Sequence, residues 1–158
     1  MLVSDVMIRS KVVKSGMLVR DVFAECGRAH VQALPFVDGK GEISGRVTLK
    51  NIMEFSCLPE HMVDMAPLLG SFLSCVNNAE EKVKEVLCST VDKYVRETGQ
   101  FIDSSAPAIK ALAFMEKNDT SYLFVVDAGQ YMGVVTIQGI AARMSEMAEC
   151  PLPDASSE

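Results

Sequence analysis

Ala33-Leu34-Pro35-Phe36-Val37-Asp38 leads through Gly39-Lys40-Gly41 into Ile43-Ser44-Gly45-Arg46-Val47-Thr48. Later, Tyr122-Leu123-Phe124-Val125-Val126-Asp127 leads through Ala128-Gly129-Gln130 into Met132-Gly133-Val134-Val135-Thr136. Each is an apolar run, an Asp/Gly turn and a β-rich run ending at Thr, the pattern of a β-hairpin. Thr48 and Thr136 are 88 residues apart, as are Val3 and Val91, whereas Asp38 and Asp127 are 89 apart. The chain therefore contains one unit twice, with the second hairpin a residue shorter.

The elements around each hairpin repeat as well. Val19, Val22, Phe23 and Cys26 recur at helical spacing ahead of the first, with Ser15 placed to cap. Ahead of the second, Ser105 is placed to cap and Pro107 suits a first turn. Ala108, Ile109, Leu112 and Met115 form the predicted stripe there. Short β-type runs, Val12-Val13 and Phe101-Ile102, precede these helices, and further helices follow at 49–55 and 137–147. Each unit reads strand, helix, strand, strand, helix. One such unit buries little apolar surface alone, so the two are expected to pack sheet to sheet. The fold class is α+β, a tandem β-α-β-β-α arrangement with pseudo-twofold symmetry. Its predicted parts are a first repeat over 1–56, a helical inter-repeat segment over 57–89 and a second repeat over 90–147. The last stretch, 148–158, has the Pro, Ser and acid composition of a disordered tail.

Composition narrows the function. The 158 residues are 49% hydrophobic and 23% charged, an ordinary globular balance. Aromatic residues make up 6% and Trp is absent, so the core is aliphatic with ten Met as gap-fillers. A net charge of −6 opposes a nucleic-acid partner, which calls for a basic face. The uncharged stretch 65–79 falls short of the roughly 20 apolar residues of a membrane span and contains Pro67 and Gly70. Met62, Met65, Leu68 and Leu69 read instead as core or dimer interface. The first residues lack a secretory apolar region. The five cysteines are scattered and odd in number, which fits a reducing, cytoplasmic compartment.

Few residues suggest chemistry. His30 and His61 are the only histidines, and Pro59 interrupts the four-residue spacing of Cys57 and His61, so no metal is expected. Nucleophile elbow, phosphate loop and dinucleotide fingerprint are all missing from the sequence, and Glu80-Glu81 sit on a polar helix face. No enzyme is expected. Thr48 is different, because it ends a strand where a helix starts, and free N–H groups and the helix dipole there favour phosphate. Asn51 lies nearly one turn on, and Lys50 adds a mobile cation. The same Thr-x-x-polar spacing is a plain helix N-cap, and one Thr can cap and bind at once. Both readings stay open. Arg46 could bind phosphate or merely sit on an exposed strand face, and the exposed face is the expectation.

Val3-Ser4-Asp5-Val6-Met7, Leu34-Pro35-Phe36-Val37-Asp38 and Gly45-Arg46-Val47-Thr48-Leu49-Lys50-Asn51 resemble the opening, central strand and closing motif of a cystathionine-β-synthase (CBS) domain. Residues 91–95 and 133–139 repeat the pattern more loosely. The resemblance implies a CBS pair, or Bateman module, a regulatory unit that binds an adenosyl ligand such as AMP, ADP, ATP or S-adenosylmethionine. It implies a homodimer shaped as a disk, no required cofactor, and an unidentified regulated protein as partner. The ligand residues it implies are Thr48, Lys50, Asn51 and Thr136, with Val12, Leu34 and Pro35 bounding the adenine. In the second closing motif Gln138 and Gly139 replace the cation and the ribose partner, so the first repeat is expected to hold the dominant ligand. The rival reading is a structural dimerisation or protein-interaction module with decayed ligand sites.

Overall fold

The computed structural model describes residues 1–57, 67 and 79–147. Its first repeat has α1 (Val19–Ala29), β1 (Ala33–Val37), β2 (Ile43–Thr48) and α2 (Leu49–Cys57). After α3 (Ala79–Leu87), the second has β3 (Phe101–Ile102), α4 (Ala108–Lys117), β4 (Tyr122–Asp127), β5 (Gln130–Thr136) and α5 (Ile137–Met147). Strands β1 and β2 pair antiparallel with Ala33 opposite Thr48, and β4 and β5 with Tyr122 opposite Thr136. Each hairpin carries one register shift, at Phe36/Val37 and at Val125/Val126. The two hairpins are thus the same object, as the sequence repeat implies.

Short 3-10 turns open each repeat, at Val3–Asp5 and Val91–Tyr94, and each turn packs into the other repeat. Val3 and Val6 are buried with Ile102, Leu123, Val125 and Ile140 of the second repeat. Val91 and Tyr94 are buried with Val19, Val22, Leu34 and Ile52 of the first. The chain then continues along the partner hairpin: Ile8 exchanges two backbone hydrogen bonds with Val134 (2.8 and 2.9 Å), and Arg96 does so with Arg46 (2.8 and 2.9 Å). The closing-motif glycines permit this crossing. A Cβ on Gly133 would lie 2.6 Å from the Ile8 carbonyl oxygen, and one on Gly45 would lie 2.9 Å from that of Arg96. Exchanged segments bury apolar surface that a single unit would leave exposed, so each repeat's core is completed by residues of the other.

Local expectations are corrected in four places. Val12-Val13 forms no strand; Val13 makes an isolated parallel bridge to Phe36, while Phe101-Ile102 is the strand β3. Ser15 does not cap α1, whose N-cap is Leu18; the Ser15 hydroxyl donates instead to Asp92 Oδ1 at 2.6 Å. Nor does Ser105 cap α4, whose N-cap is Pro107. Ile109 is 71% exposed, because the buried stripe runs through Ala108, Ala111 and Met115, and position 109 is turned about 100° from 108. The Met- and Leu-rich stretch around 62–69, the Cys57–His61 pair and the tail beyond 147 lie outside the described residues, apart from the backbone of Cys57 and residue 67. Among the described residues, no helix is long and apolar enough to cross a membrane.

Candidate functional site

Thr48 and Thr136 end their strands at the starts of α2 and α5. Thr48 Oγ1 accepts the Asn51 N–H at 3.0 Å, and Thr136 Oγ1 accepts the Gly139 N–H at 2.9 Å, so each threonine caps its helix. The first helical N–H of each is also taken: Leu49 donates to Gln32 O and Ile137 to Ser121 O, both at 3.0 Å. Gln32 Nε2 in turn donates to Ser121 Oγ. One chain of hydrogen bonds therefore ties the start of α2 to the start of α5. The pseudo-dyad runs close to that Gln32–Ser121 link.

Two clefts flank it. The first, about 820 Å³, is lined by Thr48, Lys50 and Arg46 from the first repeat, and by Leu112, Met115, Glu116 and Asp119 from the second. The other, about 700 Å³, is lined by Thr136, Ile137 and Gln138 from the second repeat, and by Phe23, Cys26, Gly27 and His30 from the first. Gln32, Ser121 and Ile137 belong to both. Both volumes suit a small organic ligand, and each cleft is built from both repeats. Arg46 is half-buried, and its guanidinium donates to the Tyr122 hydroxyl at 3.2 Å. Burial pushes the Tyr122 phenol above its ordinary pKa, with the Arg46 charge opposing that shift. Burial likewise pushes the Cys26 thiol up to about 11, so it stands in its cleft as a small neutral hydrophobe.

The CBS domain model matches residues 3–57 and again 90–146. The chain belongs to the CBS domain family. A comparison with curated proteins returned no match. Among solved structures, the CBS domain of a CBS domain-containing membrane protein from Sphaerobacter thermophilus superposes with a TM-score of 0.64. It is 15% identical and covers 89% of this chain and 86% of its own. The CBS domain pair of protein MJ0100, solved with 5′-methylthioadenosine and S-adenosyl-L-methionine, gives 0.61 at 18% identity, covering 94% and 98%. CBSX2, solved with AMP, gives 0.59 at 19% identity, covering 92% and 97%. These likenesses establish a CBS-pair fold.

Within this CBS pair, the residues singled out from the sequence do not share one site. Thr48 and Lys50 line the larger cleft and Thr136 the smaller. Lys50 is exposed and makes a loose 3.6 Å pair with Glu54, which leaves it easily redirected. Val12 and Leu34 line a separate depression of about 320 Å³, beside Lys11, Glu25 and Arg28, and Leu34 is itself core. Pro35 is buried in β1, its carbonyl accepting the Val13 N–H. Asn51 lines neither cleft; its Nδ2 donates to the Tyr94 carbonyl at 2.8 Å, fastening α2 to the exchanged turn. Sequence reasoning missed Gln32, Ser121, Glu116 and Asp119 altogether. Their signal was the 89-residue offset, which pairs 32 with 121, 27 with 116 and 30 with 119.

Glu25 is the buried carboxylate of α1 and braces a cleft wall. Arg28 donates from Nε at 2.9 Å and Nη2 at 2.5 Å, and the Lys11 N–H donates at 2.8 Å. Chiefly through the Arg28 hydrogen bonds, the carboxyl is held down at about 2 against the resistance of burial. The link joins the exchanged leading segment to the helix that carries Phe23 and Cys26. Among the described residues, no group of three or more metal-binding side chains comes together.

Proposed function

We propose that this CBS pair is a regulatory module that senses an adenosyl ligand, namely AMP, ADP, ATP or S-adenosylmethionine, in the larger cleft, and catalyses nothing. One observation carries the reading: Thr48, Lys50 and Arg46 share that cleft with apolar Leu112, Met115 and Ile137 and with the carboxylates of Glu116 and Asp119. The cations suit a phosphate, the apolar wall a base and the carboxylates the hydroxyls of a ribose. The AMP of CBSX2 and the adenosyl ligands of the MJ0100 pair, both of the same fold, support that ligand class. The wall comes from both repeats, so an occupant favours one relative arrangement of the two and shifts a pre-existing equilibrium.

Thermal shift against adenine nucleotides and S-adenosylmethionine tests the reading. At a hundredfold excess over Kd, a ligand of the folded state alone raises Tm by about 5–10 °C. A flat response to the whole panel contradicts it and favours the rival, a structural dimerisation module. A homodimer belongs to either reading, since Met53, Phe55, Met144 and Met147 leave apolar surface exposed on α2 and α5. Sedimentation at tens of micromolar should show the dimer, and a monomer there would contradict it. The proposed setting is the cytoplasm, with output passed to a separate regulated protein.

A further inference from the structure

We infer that Ser121 and Tyr122 form a latch, which holds the Gln32 and Arg46 side chains of the first repeat and yields them to the ligand when the larger cleft fills. This rests on the reading of that cleft as a nucleotide site. Ser121 directly precedes β4 and Tyr122 is its first residue. Gln32 Nε2 donates to Ser121 Oγ, and the Arg46 guanidinium donates to the Tyr122 hydroxyl at 3.2 Å. Both bonds cross from one repeat to the other, and all four residues line the larger cleft. The other side-chain bonds between the repeats are Ser10–Tyr131, Ser15–Asp92 and Ser56–Tyr94, and none of these residues lines it. Among the described residues, the two latch bonds are therefore the side-chain ties that stand where a ligand would sit.

Each bond is one that a nucleotide can replace with a better one. Among the described residues Arg46 pairs with no carboxylate, although Glu116 and Asp119 line the same cleft. It donates instead to a phenol that burial keeps neutral, and a phosphate oxygen is a stronger acceptor. Gln32 is exposed, so its bond to a neutral hydroxyl is readily exchanged for one to a ribose hydroxyl or a base edge. The backbones stay fixed meanwhile. Arg46 keeps its two backbone bonds to Arg96, and the Gln32 carbonyl keeps the Leu49 N–H. Only side chains have to move. Filling the cleft then removes two ties between the repeats, while the exchanged segments still hold the pair together. Ligand and latch draw on the same two side chains, so each weakens the other. The signal thereby acquires a direction: the free module is latched at this seam, and the occupied module is released there.

Calorimetry with AMP on the full chain, beside thermal unfolding of the free protein, tests this. Tyr122→Phe and Ser121→Ala each remove the acceptor and leave Arg46 or Gln32 free for the ligand. Each should tighten AMP about fivefold, the worth of one hydrogen bond, while lowering the Tm of the free protein by about 2–4 °C. Gln32→Ala breaks the same bond from the other side and should weaken AMP about fivefold, because the ligand contact goes with it. A merely structural bond would shift affinity the same way whichever partner is removed. If AMP binds the wild type and is weakened by Lys50→Gln, but either Tyr122→Phe or Ser121→Ala binds it no tighter than wild type, the latch alone is overturned. A wild type that does not bind AMP would overturn the cleft reading and the latch with it.

Discussion

Asn51 and Gly139 hold the same position in the two repeats, and each lies against the exchanged turn of the other. At Asn51 the gap is bridged by a side-chain amide on the Tyr94 carbonyl. At Gly139 there is no gap, for a Cβ would lie 3.1 Å from the Val6 carbonyl oxygen and 3.2 Å from Thr136 Oγ1. One helix is fastened by a hydrogen bond and the other by direct approach of backbones. The missing side chain at 139 is therefore a packing solution.

The comparison breaks most severely where the backbones cross. Gly133→Ala forces a methyl onto the Ile8 carbonyl and should cost about 3 kcal/mol or more in chemical denaturation, with little relief from neighbouring side chains. Gly139→Asp pushes α5 from the Val6 carbonyl and sets a carboxylate against it, with an expected loss of about 2–3 kcal/mol. Stability equal to wild type would show that α5 has room to spare. Glu25→Gln should cost about 1–2 kcal/mol at neutral pH, because Arg28 is partly solvated. The Glu25 carboxyl titrates lower folded than its ordinary 4.5, so its contribution is complete above that value and fades as pH falls toward about 2. Wild type and Glu25→Gln should converge in stability at that acid end. Asn51→Ala, with one neutral hydrogen bond lost, should cost about 1 kcal/mol and weaken AMP less than Lys50→Gln does.

The doubled hairpin was legible because strand alternation and Gly-containing turns are local signals. Thr48 at a strand-to-helix junction was legible for the same reason. The exchange of leading segments was not, since Ile8 meets Val134 and Arg96 meets Arg46 at separations of 126 and 50 residues. Its trace is Gly45 and Gly133, whose lack of a side chain reads locally as motif or turn. Ser15 shows the same limit: a hydroxyl placed to cap α1 bonds a carboxylate of the other repeat instead. Clefts assembled from two repeats depend on such distant pairings, so the trace of Glu116 and Asp119 in the sequence was the 89-residue offset that pairs them with Gly27 and His30.

The most direct test of the account is the number of AMP molecules bound per chain, measured by calorimetry on wild type and on Lys50→Gln. One site in the wild type, weakened about tenfold by the loss of the Lys50 charge, is the expected result. Two equally tight sites, or full affinity in Lys50→Gln, would contradict the assignment of the nucleotide to the charged cleft.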